Sequence, residues 1–219
     1  MLYTNRIYRV LHRLPLAILL SVALMLVAAG ASQAADIDPK AHPTEFIEAV
    51  ADNALSIVKE EQDTIIDGDL ESIRQMVDEH VLPYVNMEKT TRLATGRYWR
   101  QASAEQQQKL VEAFMGTLIR TYSSAFKGID QKTRLQLKPF RGDPDADDVV
   151  VRSTLVQGNG QTVDVDYRME NTPDGWKIYD INAEGIWLIQ NYRNQFAEQI
   201  SKNGIDGLID ALNKRNLEP

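Results

Sequence analysis

The order of secondary-structure signals in this chain predicts an α+β domain in which helices pack on a four-stranded antiparallel sheet. Three observations carry that prediction. Apolar residues recur at helical spacing from Phe46 to Ile65, from Leu70 to Val81, and every four residues through Leu110, Phe114, Leu118, Tyr122 and Phe126. Four stretches between residues 132 and 184 instead alternate or run apolar at strand length, with Gly-, Asp- and Pro-rich turns between them. A further helical pattern, with Tyr192, Phe196 and Ile200, starts near Leu188. This order covers one sheet face with helices and leaves the other wet.

Residues 1–34 are expected to lie outside the fold. Arg6, Arg9 and Arg13 precede an uncharged apolar run of 16 residues, Leu14 to Ala29. Ser32 and Ala34 then supply small residues at the −3 and −1 positions of a cleavage site. The run is short for a membrane span, so it is read as a secretory signal peptide removed after Ala34. No cysteine stands near the site, which argues against a lipoprotein. Residues 35–219 then form a single domain.

Within that domain the helical part is expected over about 43–129. Thr44 is placed as the first cap, "DGD" at 67–69 as a break, Asp69 as the next cap and Pro83 as a stop. Residues 84–96 read as a short helix or turn ending at Gly96. Ser103 and Gln106 form a capping box for the long helix, and Gly128 ends it. The sheet is expected over about 132–184, in the strands "TRLQLKPF", "DDVVVRSTLV", "TVDVDYRME" and "GWKIYDINA". Its short turns imply a meander. C-terminal helices follow over about 188–215, interrupted at Gly204, with Asp206 as a cap.

The chemistry is sparse. The chain has no cysteine, which removes thiol catalysis, disulfides and Cys-based metal sites. His42 and His80 have no partner at metal-ligand spacing. "RGDPDADD" starts like a calcium loop but has Asp148 where glycine is needed and Thr154 where a bidentate Glu is needed. It is read as an acidic hairpin turn. No metal, cofactor or catalytic residue is assigned. Asp180 and Glu184 are four residues apart and read better as holding a strand-to-helix corner than as an acid–base pair. Without residues 1–34, which hold three of the 24 basic residues and no acidic one, 21 basic face 31 acidic residues, a net charge of −10. That balance disfavours nucleic acid and bulk attraction to an anionic bilayer. Against it, Lys89, Arg92, Arg97 and Arg100 form a basic cluster. The cluster suits a phosphate head group or an acidic partner, and equally a solvated face.

"LPYVNMEKTTRLATGRYWRQAS" at 82–103, "WKIYDINAEGI" at 176–186 and "KNGIDGL" at 202–208 resemble the MlaC family of periplasmic phospholipid carriers, also described as toluene-tolerance proteins. The resemblance spans nearly all of residues 35–219. It implies an NTF2-like sheet, a helical layer and an apolar cavity between them that holds acyl chains, with no enzymatic activity. It also implies a periplasmic location, expected as a monomer. The implied partners are an inner-membrane MCE-domain ABC transporter and an outer-membrane lipoprotein–porin complex, between which lipid is shuttled to maintain outer-membrane asymmetry. Trp187 departs from the smaller residue expected there.

On that resemblance the cavity wall draws on Tyr84 and Leu93 and on the long-helix stripe Phe114, Leu118, Tyr122 and Phe126. Strand residues Val149, Val151, Val163, Val165, Tyr167, Tyr179 and Ile181 add to it, as do Ile186, Trp187, Leu188 and Tyr192 beyond the last strand. An ordinary core would use the same residue types. A phospholipid exposes about thirty methylenes in water, a cost on the order of 20–25 kcal/mol at ~0.8 kcal/mol each. Transfer from bilayer to cavity avoids most of it, which suits a reversible carrier. Two other readings stay open: an enzyme using Tyr179 with Asp180 or Glu184, and a lipid-free scaffold.

Overall fold

The computed structural model describes residues 37–217. The expected signal segment, residues 1–34, lies outside the described residues.

Helix α1 spans Pro43–Glu60. Its cap is His42, not Thr44: Pro43 needs no amide partner at the first position, and the His42 ring accepts from the Thr44 N–H. Phe46, Ile47 and Val50 form its buried face. A short α2, Gln62–Asp67, ends at Gly68 in the left-handed conformation. Asp69 caps α3, Leu70–His80, through the Glu71 and Ser72 amides. That helix stops before Pro83, which instead sits in a single 3-10 turn, Leu82–Tyr84. Asn86 caps α4, Met87–Thr95, and a 3-10 segment, Gly96–Gln101, follows. The Ser103–Gln106 capping box opens α5, Ala104–Phe126. The last helix, α6, Leu188–Leu217, is interrupted at Gly204, where φ is 75° and ψ −179°. Asp206 accepts there from the Gln106 side chain of α5.

The sheet is an antiparallel meander, β1(Arg134–Leu137), β2(Asp148–Val156), β3(Thr162–Thr172), β4(Gly175–Ala183) and β5(Ile186–Trp187), paired in that order. It has five strands where four were expected. Glu184 and Gly185, at φ 51° and 87°, fold the chain back within two residues, so Ile186 pairs with Ala183 and Trp187 with Asn182.

Register sorts the faces. Val149, Val151, Ser153 and Leu155 lie opposite Met169, Tyr167, Val165 and Val163 on one apolar face. Arg168 lies opposite Asp180 on the other. The β3–β4 register shifts between Arg168 and Met169, which leaves Tyr179 as the extra residue of a bulge. Asn86 donates to the Ile178 carbonyl at 2.8 Å and ties the start of α4 to β4.

Two buried apolar clusters result. One joins α1 to the sheet through Phe46, Ile47, Val50, Val149, Val151, Met169 and Ile178. The other lies among the helices, with Leu110 and Phe114 of α5 against Tyr192, Phe196, Ile200 and Leu212 of α6. The main packing partners of α5 are α6, α3 and α4; the sheet meets the helices chiefly through α1, α4 and α6.

Candidate functional site

The candidate site is built from apolar residues that neither cluster absorbs. Val163 and Val165 share the apolar sheet face with Leu155, and all three are half-buried. Leu93 on α4 and Phe126 on α5 are half-buried and likewise belong to neither cluster. Tyr122, Ile181 and Ile186 are large apolar side chains with 41%, 38% and 64% of their surface open. Exposure of this size on neighbouring strands β4 and β5 makes an apolar lip, which a closed core would have covered.

The other expected wall residues occupy defined places. Phe114 and Tyr192 are buried in the helical cluster, their ring centroids 4.8 Å apart. Leu118 and Leu188 pack on the margin of that cluster. Val149 and Val151 are buried beneath α1, with Tyr84 and Tyr167 at the edge. Burial pushes the Tyr167 hydroxyl up to about 12. The Tyr122 hydroxyl has its pKa raised, first by burial.

Tyr179 and Trp187 stand apart on the polar side of the sheet. The Lys89 ammonium lies 3.8 Å from the centre of the Tyr179 ring, and the Arg168 guanidinium 3.8 Å from that of Trp187. Burial, with Asp148 beside the hydroxyl, pushes Tyr179 up to about 12. Arg168 also donates to the buried Asp180 at 2.9 Å, and Asp180 accepts from the Ile189 amide at 3.0 Å. Asn182 accepts from the Gly185 amide at 2.7 Å. Two β4 side chains therefore hold both ends of the lip segment, residues 185–189. Asp180 serves the corner, as its place in the sequence suggested.

The basic cluster divides. Lys89 is engaged on the sheet, 2.8 Å from Glu170 and 3.2 Å from Asp148. Arg92, Arg97 and Arg100 remain exposed on α4 and the segment after it. Leu155 was not among the wall residues expected from sequence, although alternation along β2 beyond Ser153 puts it on the same apolar face. A separate cleft of about 460 Å³ lies between His42, Asp145, Asn171 and Trp176, away from all of the expected wall residues. Among the described residues, no three metal-ligating side chains gather, and no helix is long and apolar enough to cross a membrane.

Set beside known proteins, residues 48–214 match the family model described as MlaC protein. The chain belongs to the MlaC family. One MlaC relative, from Haemophilus influenzae, is named intermembrane phospholipid transport system binding protein. It is 26% identical over 81% of this chain and 83% of its own length. A second, the toluene tolerance protein of Pseudomonas putida, is 29% identical over 52% of each chain. A solved structure from Ralstonia solanacearum, a phospholipid-binding protein in complex with a phospholipid, is similar with a TM-score of 0.74 and 42% identity. It covers 81% of this chain and 97% of its own. The α+β arrangement of helices and antiparallel sheet is thus similar to that of a phospholipid-binding protein.

Proposed function

We propose that this chain is a periplasmic phospholipid carrier with no catalytic activity. The carrying observation is apolar surface that neither buried cluster absorbs: Leu155, Val163 and Val165 half-buried on one sheet face, with the exposed Ile181 and Ile186 on the strands beside them. Acyl chains would lie along Leu155, Val163 and Val165, beneath the Leu118, Tyr122 and Phe126 face of α5, with the head group toward solvent. Chain burial supplies most of the binding energy at about 0.8 kcal/mol per methylene, so few polar groups need converge. The cavity and the NTF2-like description of the sheet belong to this reading, as do export by a cleaved signal peptide and the monomeric state.

The name of the Haemophilus influenzae relative supports transport between membranes. In the cell the carrier would exchange lipid with an outer-membrane lipoprotein–porin complex and an inner-membrane MCE-domain ABC transporter. Native mass spectrometry of protein purified from cells tests the first step. Bound phospholipid at fixed stoichiometry is expected. An apo mass that persists after incubation with liposomes would sink the reading. Val165→Trp with Leu155→Trp fills the proposed space and is expected to lower lipid occupancy about tenfold or more, each added ring displacing several methylenes, while the circular dichroism spectrum holds.

A further inference from the structure

Three exposed arginines gather at the end of α4, and the fold adds a fourth from a distant part of the chain. Helix α4 packs on α6, and this brings Arg193 of α6 to Gly96. A β-carbon at position 96 would lie 3.5 Å from Arg193 Nε. The Gly96 backbone, at φ 61° and ψ −131°, favours glycine, so the guanidinium lies against bare main chain. Arg97 donates to the Tyr98 hydroxyl at 2.9 Å, with its guanidinium 4.9 Å from the centre of that ring. Arg92, Arg97, Arg100 and Arg193 are all exposed. Among the described residues, none of them forms an ion pair.

We infer that Arg92, Arg97, Arg100 and Arg193 form a docking surface for an acidic patch on a partner protein, beside the apolar lip. The inference rests on the carrier reading for its purpose but not for its test. Guanidinium groups recognise carboxylates bidentately, and the hold of Tyr98 on Arg97 lowers the entropy lost on docking. Charge distribution favours a protein over a bilayer. Residues 35–219 carry a net charge of −10. An extended anionic surface also repels the rest of a chain whose acidic residues outnumber its basic ones, over a Debye length of about 8 Å. An acidic patch of limited size meets only the arginines. Position gives the docking a use: Arg193 follows Leu188 by five residues, roughly 7.5 Å along the helix, so a docked partner stands beside the segment that carries Ile186.

The test uses co-sedimentation of the purified chain with two probes. One is membrane vesicles from the source bacterium with their proteins retained; the other is liposomes of the lipids extracted from them. Wild type is expected to sediment with the protein-bearing vesicles, less so as salt rises, and not with the liposomes. Arg92→Glu with Arg193→Glu is expected to lower that binding about tenfold or more, as loss of complementary charge does. Arg97→Glu alone is expected to lower it less, and serves if the double variant does not fold. Arg134→Glu with Arg141→Glu, an equal change of charge at exposed positions elsewhere, is expected to leave it intact. Unchanged binding of the patch variants overturns the inference. So does an equal loss in the control, or wild-type binding to liposomes that the patch variants lose. Lipid content, read separately by mass spectrometry, tells a failed carrier reading from a failed docking surface.

Discussion

The Asp180 carboxylate accepts from the Ile189 amide and from Arg168, with its side chain wholly out of solvent. Removing it leaves a buried N–H and a guanidinium without their partner. Asp180→Ala is therefore expected to cost about 2–3 kcal/mol in urea unfolding. Burial raises the Asp180 pKa, and the Ile189 amide and Arg168 offset part of that rise. A carboxyl raised on folding contributes stability that is complete below its unfolded pKa, about 4, and lost as pH rises through the folded value. Asp180→Asn keeps an acceptor for Ile189 but does not titrate, so it is expected to gain on wild type as pH rises from about 4 to 7. Tyr167 and Tyr179, pushed up to about 12, behave in the same sense at high pH. Their contribution is complete below about 10 and lost as pH rises through about 12. An absorbance titration is expected to show both lagging the exposed tyrosines.

Helix ends offer sharper tests than helix interiors. Ser103→Ala removes half of a reciprocal capping box and is expected to cost about 1 kcal/mol, seen as a lower urea midpoint at unchanged slope. Gly204 occupies a backbone region reserved for glycine, so Gly204→Ala is expected to cost about 1–3 kcal/mol by the same measurement. The helices, the capping box and the meander were legible because each is written in local spacing. β5 was not, since two residues cannot show alternation and a turn through Glu184 leaves no strong sequence mark. The bulge at Tyr179 was hidden too, and with it the placement of Tyr179 and Trp187 under cations. Period-2 reading fails wherever one strand carries an extra residue. Arg193 joined the arginine group only through the packing of α4 on α6.

The α+β layering followed from the order of the patterns, but the candidate site did not follow from pattern alone. Val151 and Val165 sit two pairs apart on the same sheet face and look alike in sequence. Burial under α1 makes the first a core residue, while the second stays half-buried outside both clusters. Only the reach of α1 over the sheet separates them. On the carrier reading, lipid removal is expected to speed hydrogen exchange in β3 and β4, because unfilled space costs about 20–25 cal/mol per Å³ and closure relieves it. Equal exchange in loaded and stripped protein would count against this.

The two unmerged clusters also bear on calorimetry. Heat capacity rises by about 0.45 cal/K/mol for each Å² of apolar surface exposed on unfolding. A cargo lying between the clusters would add its own hidden surface, and theirs, to that balance. Loaded protein is then expected to melt with a larger heat-capacity step than stripped protein, and in a single transition. Stripped protein is expected to show a smaller step and a broader transition.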